Sequence, residues 1–237
     1  MNRYLRMLPL LALYAVPLQA ESLLTPHKAT YKVKISVLGG QLDTELRQTA
    51  TGYSATHIIE PTGMSRMFAR GSIVETSHFD SASDGVRPRE YVSRDTLSRE
   101  KENATIHFDW DNGEARGTVN GGEVVSVIDG LAHDRVSIQY ELMHDLVSGD
   151  SSAKYTMFDI DRLRPVNVQI IGEKIVKVPA GEFQVVGVQH QAEGSKRVTT
   201  LWCAEQLGYL PVVIEQHRNG KLQVRAKLEI YTPTSGQ

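Results

Sequence analysis

The amino-acid sequence predicts an all-β fold with one amphipathic helix: a curved antiparallel sheet or incomplete β-barrel, with the helix packed on it. Three features lead there. Apolar residues recur at every second position through most of the chain, the period of a strand with one face in a core. Gly, Pro and Asn-Gly turn signals interrupt those runs at short intervals. The period lengthens to that of a helix in only one place, at about 134–148. Two small β subdomains, divided near 130–150, are the alternative.

The pattern is clearest over 172–214, which reads as four consecutive strands. Val176 and Val178 alternate with Lys177 before Pro179-Ala180-Gly181. Phe183, Val185, Gly187 and Gln189 then share one face, opposite Gln184, Val186, Val188 and His190. Glu193-Gly194-Ser195-Lys196 turns the chain, Val198, Thr200 and Trp202 share a face, and Leu207-Gly208-Tyr209 turns it into Leu210–Ile214.

Upstream, Tyr31, Val33, Ile35 and Val37 alternate with Lys32, Lys34 and Ser36. Gly39-Gly40 turns the chain into Leu42, Thr44 and Leu46, and Gly52 opens a strand that Pro61-Thr62-Gly63 stops. Met64–Arg70 reads as an irregular passage. Strands are expected over 71–79, 89–97, 104–110, 115–120 and 123–128, with Asp111-Asn112-Gly113 and Asn120-Gly121-Gly122 as turns. In the helix, Val136, Tyr140, Met143 and Val147 make one stripe, widened by Ile138, Leu142 and Leu146. Asp134 is placed to cap its start and Gly149 to end it. Its apolar side is expected against the sheet, with His144 exposed. A strand over 154–160, a turn at 161–165 and a strand from Val166 follow. Asn219-Gly220 joins the last two strands as a two-residue hairpin.

The chain has 237 residues and a formal net charge of -2. That length suits one large β domain, and the near-neutral charge supplies no field for gripping nucleic acid. Arg3 and Arg6, the apolar run Met7–Leu18 and small Ala20 read as a signal peptide over 1–20, leaving 21–237 as the domain; an uncleaved anchor is the alternative. No later segment is apolar and long enough for a membrane-spanning helix, so the mature chain is expected to be exported and soluble. Cys203, the single cysteine, cannot form an internal disulfide and reads as a structural thiol.

Chemistry-bearing residues are sparse. His107 and Asp109 share a strand face without a third metal ligand at recognisable spacing. His133-Asp134 and His144-Asp145 are adjacent acid–base types, but nothing orients a nucleophile beside them. Ser137 lacks a nucleophile elbow, and Gly39-Gly40 and Gly121-Gly122 sit in hairpins rather than strand-to-helix phosphate loops. No metal and no cofactor is expected. Asp134 and Arg135 are assigned a structural role, one capping the helix and the other pairing with a sheet carboxylate.

Several short motifs occur in a fixed order: Pro61-Thr62-Gly63, Pro88 with Tyr91, Phe108-Asp109-Trp110, Asp134-Arg135-Val136-Ser137, Gly172-Glu173, Pro179-Ala180-Gly181 with Phe183, Leu201-Trp202, and Tyr209-Leu210-Pro211-Val212. In this order the chain, from about Tyr31 to Leu228, resembles the DUF3108 family of exported bacterial proteins. The departure is Cys203, where an aromatic residue is more usual. The resemblance implies a secreted or periplasmic β protein and supplies no reaction.

The expectation is therefore a periplasmic, non-enzymatic protein that binds an apolar or lipid-like ligand or serves cell-envelope assembly. Trp110, Met143, Phe183 and Trp202 are the candidate groove lining, with Met64, Met67 and Phe68 as an adaptable rim. Two alternatives are carried: a scaffold docking another envelope protein along a strand edge, and a hydrolase or lyase using His133 and Asp134.

Overall fold

The computed structural model describes residues 24–35, 38–98, 101–149, 154–159 and 161–234. The signal peptide expected at 1–20 and Val37 lie outside the described residues. An antiparallel meander runs through β1 (His27–Ile35), β2 (Leu38–Thr49), β3 (Gly52–Pro61), β4 (Ile73–Ala82), β5 (Gly85–Asp95), β6 (Ala104–Asp109), β7 (Glu114–Val119) and β8 (Gly122–Val127). A short β9 (Leu131–His133), the helix α1 (Ser137–Ser148) and β10 (Tyr155–Asp159) follow. The chain returns through β11 (Arg162–Val178), β12 (Gly181–Ala192), β13 (Arg197–Ala204), β14 (Leu210–Arg218) and β15 (Lys221–Pro233).

All these strands belong to one sheet, because β15 pairs with β1 from His27↔Pro233 to Ile35↔Val224. That ladder joins the strands before and after the helix into the one sheet. The sheet is open in its pairing, with β8 at one margin and β9 at the other. Yet only residues 128–130 separate the two margin strands, a span of at most about 15 Å. Fifteen strands laid flat would put them roughly 70 Å apart. The sheet therefore turns back on itself, and β8 meets β11 where Leu163 N–H donates to Ser126 Oγ at 3.1 Å.

Local chemistry explains the turns. Asn219 and Gly220 have φ of 52° and 73°, the paired positive angles of a primed hairpin turn, between Arg218 and Lys221. Gly149 closes α1 at φ 75°, its N–H on the Asp145 carbonyl at 2.8 Å. Several expectations need correction. Gly39 and Gly40, expected as a turn, lie inside β2 opposite Lys34 and Val33. Arg162–Pro165, expected as a turn, already pairs with β10. And β9, not foreseen, runs parallel to β10, so β9–α1–β10 is a small parallel crossover in an otherwise antiparallel sheet.

The helix also departs from expectation. It was expected to lay one apolar side on the sheet, but every residue from Ser137 to His144 is buried, His144 at 3% exposure. The curled sheet wraps it from two sides. Val136, Tyr140 and Met143 join the core built by Tyr31, Leu46, Phe79, Ile106 and Leu228. Ile138 and Leu142 face Tyr155, Val166, Val188, Leu201 and Cys203. Each buried aliphatic side chain contributes about 1.5–3 kcal/mol before entropy is counted.

Candidate functional site

The start of α1 is tied into the sheet by polar side chains. Asp134 is fully buried; its Oδ1 accepts from the N–H groups of Val136 and Ser137, each at 2.8 Å, and its Oδ2 from Ser77 Oγ at 2.6 Å. Ser137 Oγ in turn accepts from Asp134 N–H at 2.9 Å. Side chain and backbone thus satisfy one another as in a capping box. Burial nevertheless pushes the Asp134 carboxyl up to about 6, against these hydrogen bonds. Arg135 donates to Glu102 Oε1 and lies 3.7 Å from Glu75 Oε1, which also accepts from the Tyr91 hydroxyl at 2.5 Å.

His133, adjacent to Asp134, is fully buried with no partner on either ring nitrogen, and burial drives its pKa down to about 3. The two side chains share no hydrogen bond, and the carboxylate is already engaged by three donors, so they do not form an acid–base pair. His27 and His57 flank the Tyr140 ring, with centroids 6.4 and 6.3 Å away, and Phe79 packs at 5.4 Å. Both Nε2 atoms and the Tyr140 hydroxyl are buried without a protein partner. Burial holds His57 down to about 4 and lowers His27 as well, so both rings are neutral at pH 7. This convergence of buried imidazoles was not foreseen from the sequence. His107 and Asp109, by contrast, sit on the surface of β6, Asp109 accepting from Arg116 Nη2 at 2.9 Å.

The four residues expected to line a groove have separate partners. Met143 is in the core at 3% exposure. Trp110 donates its indole N–H to the Pro88 carbonyl at 2.7 Å, beneath the Arg87 guanidinium. Phe183 packs over Gly181 at the β11–β12 tip. Trp202 lies across Gly187, with Lys174 Nζ 3.3 Å from the ring centroid, a cation–π contact. Cys203 is buried, which raises its thiol well above the ordinary range and leaves it unreactive.

A groove lies elsewhere among the described residues. It has a volume of about 450 Å³ and is lined by Lys32, Val33, Lys34, Leu38, Gly39, Pro179, Arg225 and Lys227. Register creates its charge. Lys32 stands opposite Lys227, and Lys34 opposite Arg225, on the β1–β15 ladder. Like charges directly opposed destabilise a sheet, and of the four only Arg225 has a close acidic partner among the described residues, Glu215 at 2.7 Å. The β11–β12 tip borders the groove through Pro179, held there by Ala180 N–H on the Leu228 carbonyl at 3.1 Å. At its other end Gly39 donates to Ser65 Oγ at 2.7 Å and accepts from Thr62 N–H at 3.1 Å. Those bonds anchor the 3-10 turn Gly63–Met67, whose Met64 and Met67, with Phe68, are 77, 74 and 75% exposed. The combination is a cationic wall beside Leu38 and Pro179 with an adjoining apolar knob, while Val33, alternating with Lys32 and Lys34, turns its side chain to the core. The alternation of Lys32 and Lys34 was visible in the sequence, but their cationic cross-strand neighbours were not.

Comparison with known proteins follows this geometry. The chain is similar to the crystal structure of a β-barrel-like protein of the domain of unknown function DUF1849 from Brucella abortus. The TM-score is 0.58 at 14% identity, covering 90% of this chain and 100% of that one. At that identity the likeness concerns the fold. No curated protein matches the chain. The profile of DUF3108, described as a protein of unknown function, matches residues 27–227, and the chain belongs to that family.

Proposed function

We propose that this protein binds an anionic amphiphile, an acyl chain ending in a carboxylate or phosphate, and does so in the periplasm as part of cell-envelope traffic or assembly. The observation that carries the reading is the groove in which paired cationic rungs, Lys32/Lys227 and Lys34/Arg225, adjoin Leu38 and Pro179. An anion between the rungs relieves the repulsion the register imposes. The chain beyond it gains about 0.8 kcal/mol for each methylene buried. Met64, Met67 and Phe68 give the tail a deformable apolar contact. Export is supported by the basic and apolar opening of the sequence, Arg3 to Ala20.

Two alternatives have less support. A hydrolase or lyase on His133 and Asp134 lacks a bond between them. Docking along a strand edge would use the unpaired β8 margin, which β11 touches through the Ser126 hydroxyl, and nothing there selects a partner. Osmotic-shock fractionation of cells producing the full chain, followed by solvent extraction and mass spectrometry of the purified protein, tests the proposal. A stoichiometric fatty acid or phospholipid is expected. Recovery in the cytoplasmic fraction would count against export, and recovery from the periplasm with neutral lipids alone would count against the cationic wall.

A further inference from the structure

We propose that the 3-10 turn Gly63–Met67, with Phe68, docks the protein on an anionic phospholipid bilayer. Met64, Met67 and Phe68 enter the interface, and the arginines beside them meet the headgroups. This goes beyond the ligand groove and does not need the groove to be filled.

The turn is held, so the exposure of its apolar side chains is built in. The Thr62 carbonyl accepts from Ser65 N–H at 3.1 Å, and the Ser65 carbonyl accepts from the N–H groups of Phe68 and Ala69 at 3.0 and 2.9 Å. Ser65, 7% exposed, turns its hydroxyl inward to accept from Gly39 N–H. The serine thus points into the protein while Met64, Met67 and Phe68 protrude from it. Apolar side chains gathered on one exposed turn mark an interaction surface. Backbone groups already paired within the turn also enter a lipid interface at less cost than free ones.

Charge indicates what covers this tip. Arg66 and Arg70 are exposed and line a recess of about 470 Å³ together with Glu60 and Ser72. Two guanidiniums against one carboxylate leave it positive. Arg66 Nε donates to the Pro61 carbonyl at 3.1 Å, which ties the guanidinium to the foot of the turn. Gly39, which bonds the turn, stands opposite Lys34 on the β1–β2 ladder, so the cations of the groove adjoin the same element. An apolar tip flanked by cations matches an anionic membrane surface, where buried apolar area and the attraction of Lys and Arg to acidic headgroups add. A stable protein partner would need about 800 Å² of shaped surface from each side. A small protruding tip of flexible side chains offers no such face, and a fluid bilayer asks for none.

Sedimentation of the full chain with unilamellar vesicles tests the proposal. Binding to equal parts of phosphatidylglycerol and phosphatidylcholine is expected to be on the order of tenfold tighter than to phosphatidylcholine alone. Met67→Ser combined with Phe68→Ser should weaken it about tenfold. Arg66→Gln combined with Arg70→Gln should lower the preference for anionic vesicles, while Val127→Ser, as exposed as Phe68 but on β8, should change nothing. The apolar run near the N-terminus is common to every variant, so the differences report the turn. Met67→Trp is expected to add an emission that is quenched when the phosphatidylcholine of the anionic vesicles is brominated on its acyl chains. Oleate binding by the wild type is read separately, and its absence would count against the groove alone. Vesicle binding unchanged by the paired serine substitutions, no quenching at position 67, or a concentration-dependent dimer without vesicle binding would overturn the proposal.

Discussion

Ser77 Oγ donates to Asp134 Oδ2 at 2.6 Å, joining β4 to the residue that opens α1, and both side chains are fully buried. Removing either leaves a buried group unsatisfied. Ser77→Ala is expected to cost about 1–2 kcal/mol. Asp134→Ala strips a partner from Ser77 and from two backbone N–H groups, and is expected to cost about 2–4 kcal/mol. Urea unfolding should show both as lower midpoints with an unchanged slope. An unchanged midpoint for Asp134→Ala would remove the residue from the helix start.

This bond shows where the sequence was legible and where it stopped being so. Asp134 three residues before Ser137, ahead of an apolar helical period, announces a cap, because capping is local. Asn219-Gly220 announces its hairpin for the same reason: two consecutive positive φ angles admit few residues. Nothing local pairs Asp134 with Ser77, or Lys32 with Lys227, since only the long-range arrangement of the sheet does so. His144 reads as exposed in the sequence because helical period reports which residues share a face, not how many faces the sheet will cover. The three-residue β9 is too short to show any period.

Stability should fall as the medium is acidified from pH 7 to pH 5. His57, His133 and His190 are held by burial at about 4, 3 and 4. Each folded pKa lies below the unfolded value of 6.5, so the contribution is complete above pH 6.5 and is lost as pH falls towards 4. Asp134, raised to about 6, and Glu141, raised to about 7, act in the opposite sense, favouring the folded state most at low pH. Three imidazoles against two carboxyls leave a net loss on acidification. His57→Phe should shrink that loss by on the order of 1–2 kcal/mol. Urea midpoints at both pH values measure it, and an equal loss in the variant would contradict the assignment.

Gly187 is required by Trp202. A Cβ at position 187 would come within 2.6 Å of the Trp202 ring and 2.8 Å of Ile171 Cγ1. Gly187→Ala is expected to destabilise by about 1–3 kcal/mol through overpacking and to shift the Trp202 emission as the ring leaves its place beneath Lys174. Wild-type emission together with wild-type stability would show that the ring does not lie across the glycine.

The cationic rungs predict an unusual pairing of effects. Replacing Lys32 or Lys227 with Gln removes a like-charge contact and should stabilise the free protein by about 0.2–1 kcal/mol at low salt, while weakening ligand binding. Thermal unfolding at low and high salt checks the first half, because screening should erase the gain. Destabilisation of the free protein by either substitution would mean that the lysines serve the fold.

The most direct measurement of the central claim is native mass spectrometry of the full chain incubated with oleate and, separately, with oleyl alcohol, which shares the tail and lacks the charge. A one-to-one oleate complex is predicted, with little of the alcohol retained and with oleate lost when Lys32→Glu and Lys227→Glu are combined. Equal retention of both compounds, or undiminished oleate binding by the charge-reversed protein, would contradict an anionic amphiphile seated against the β1–β15 rungs.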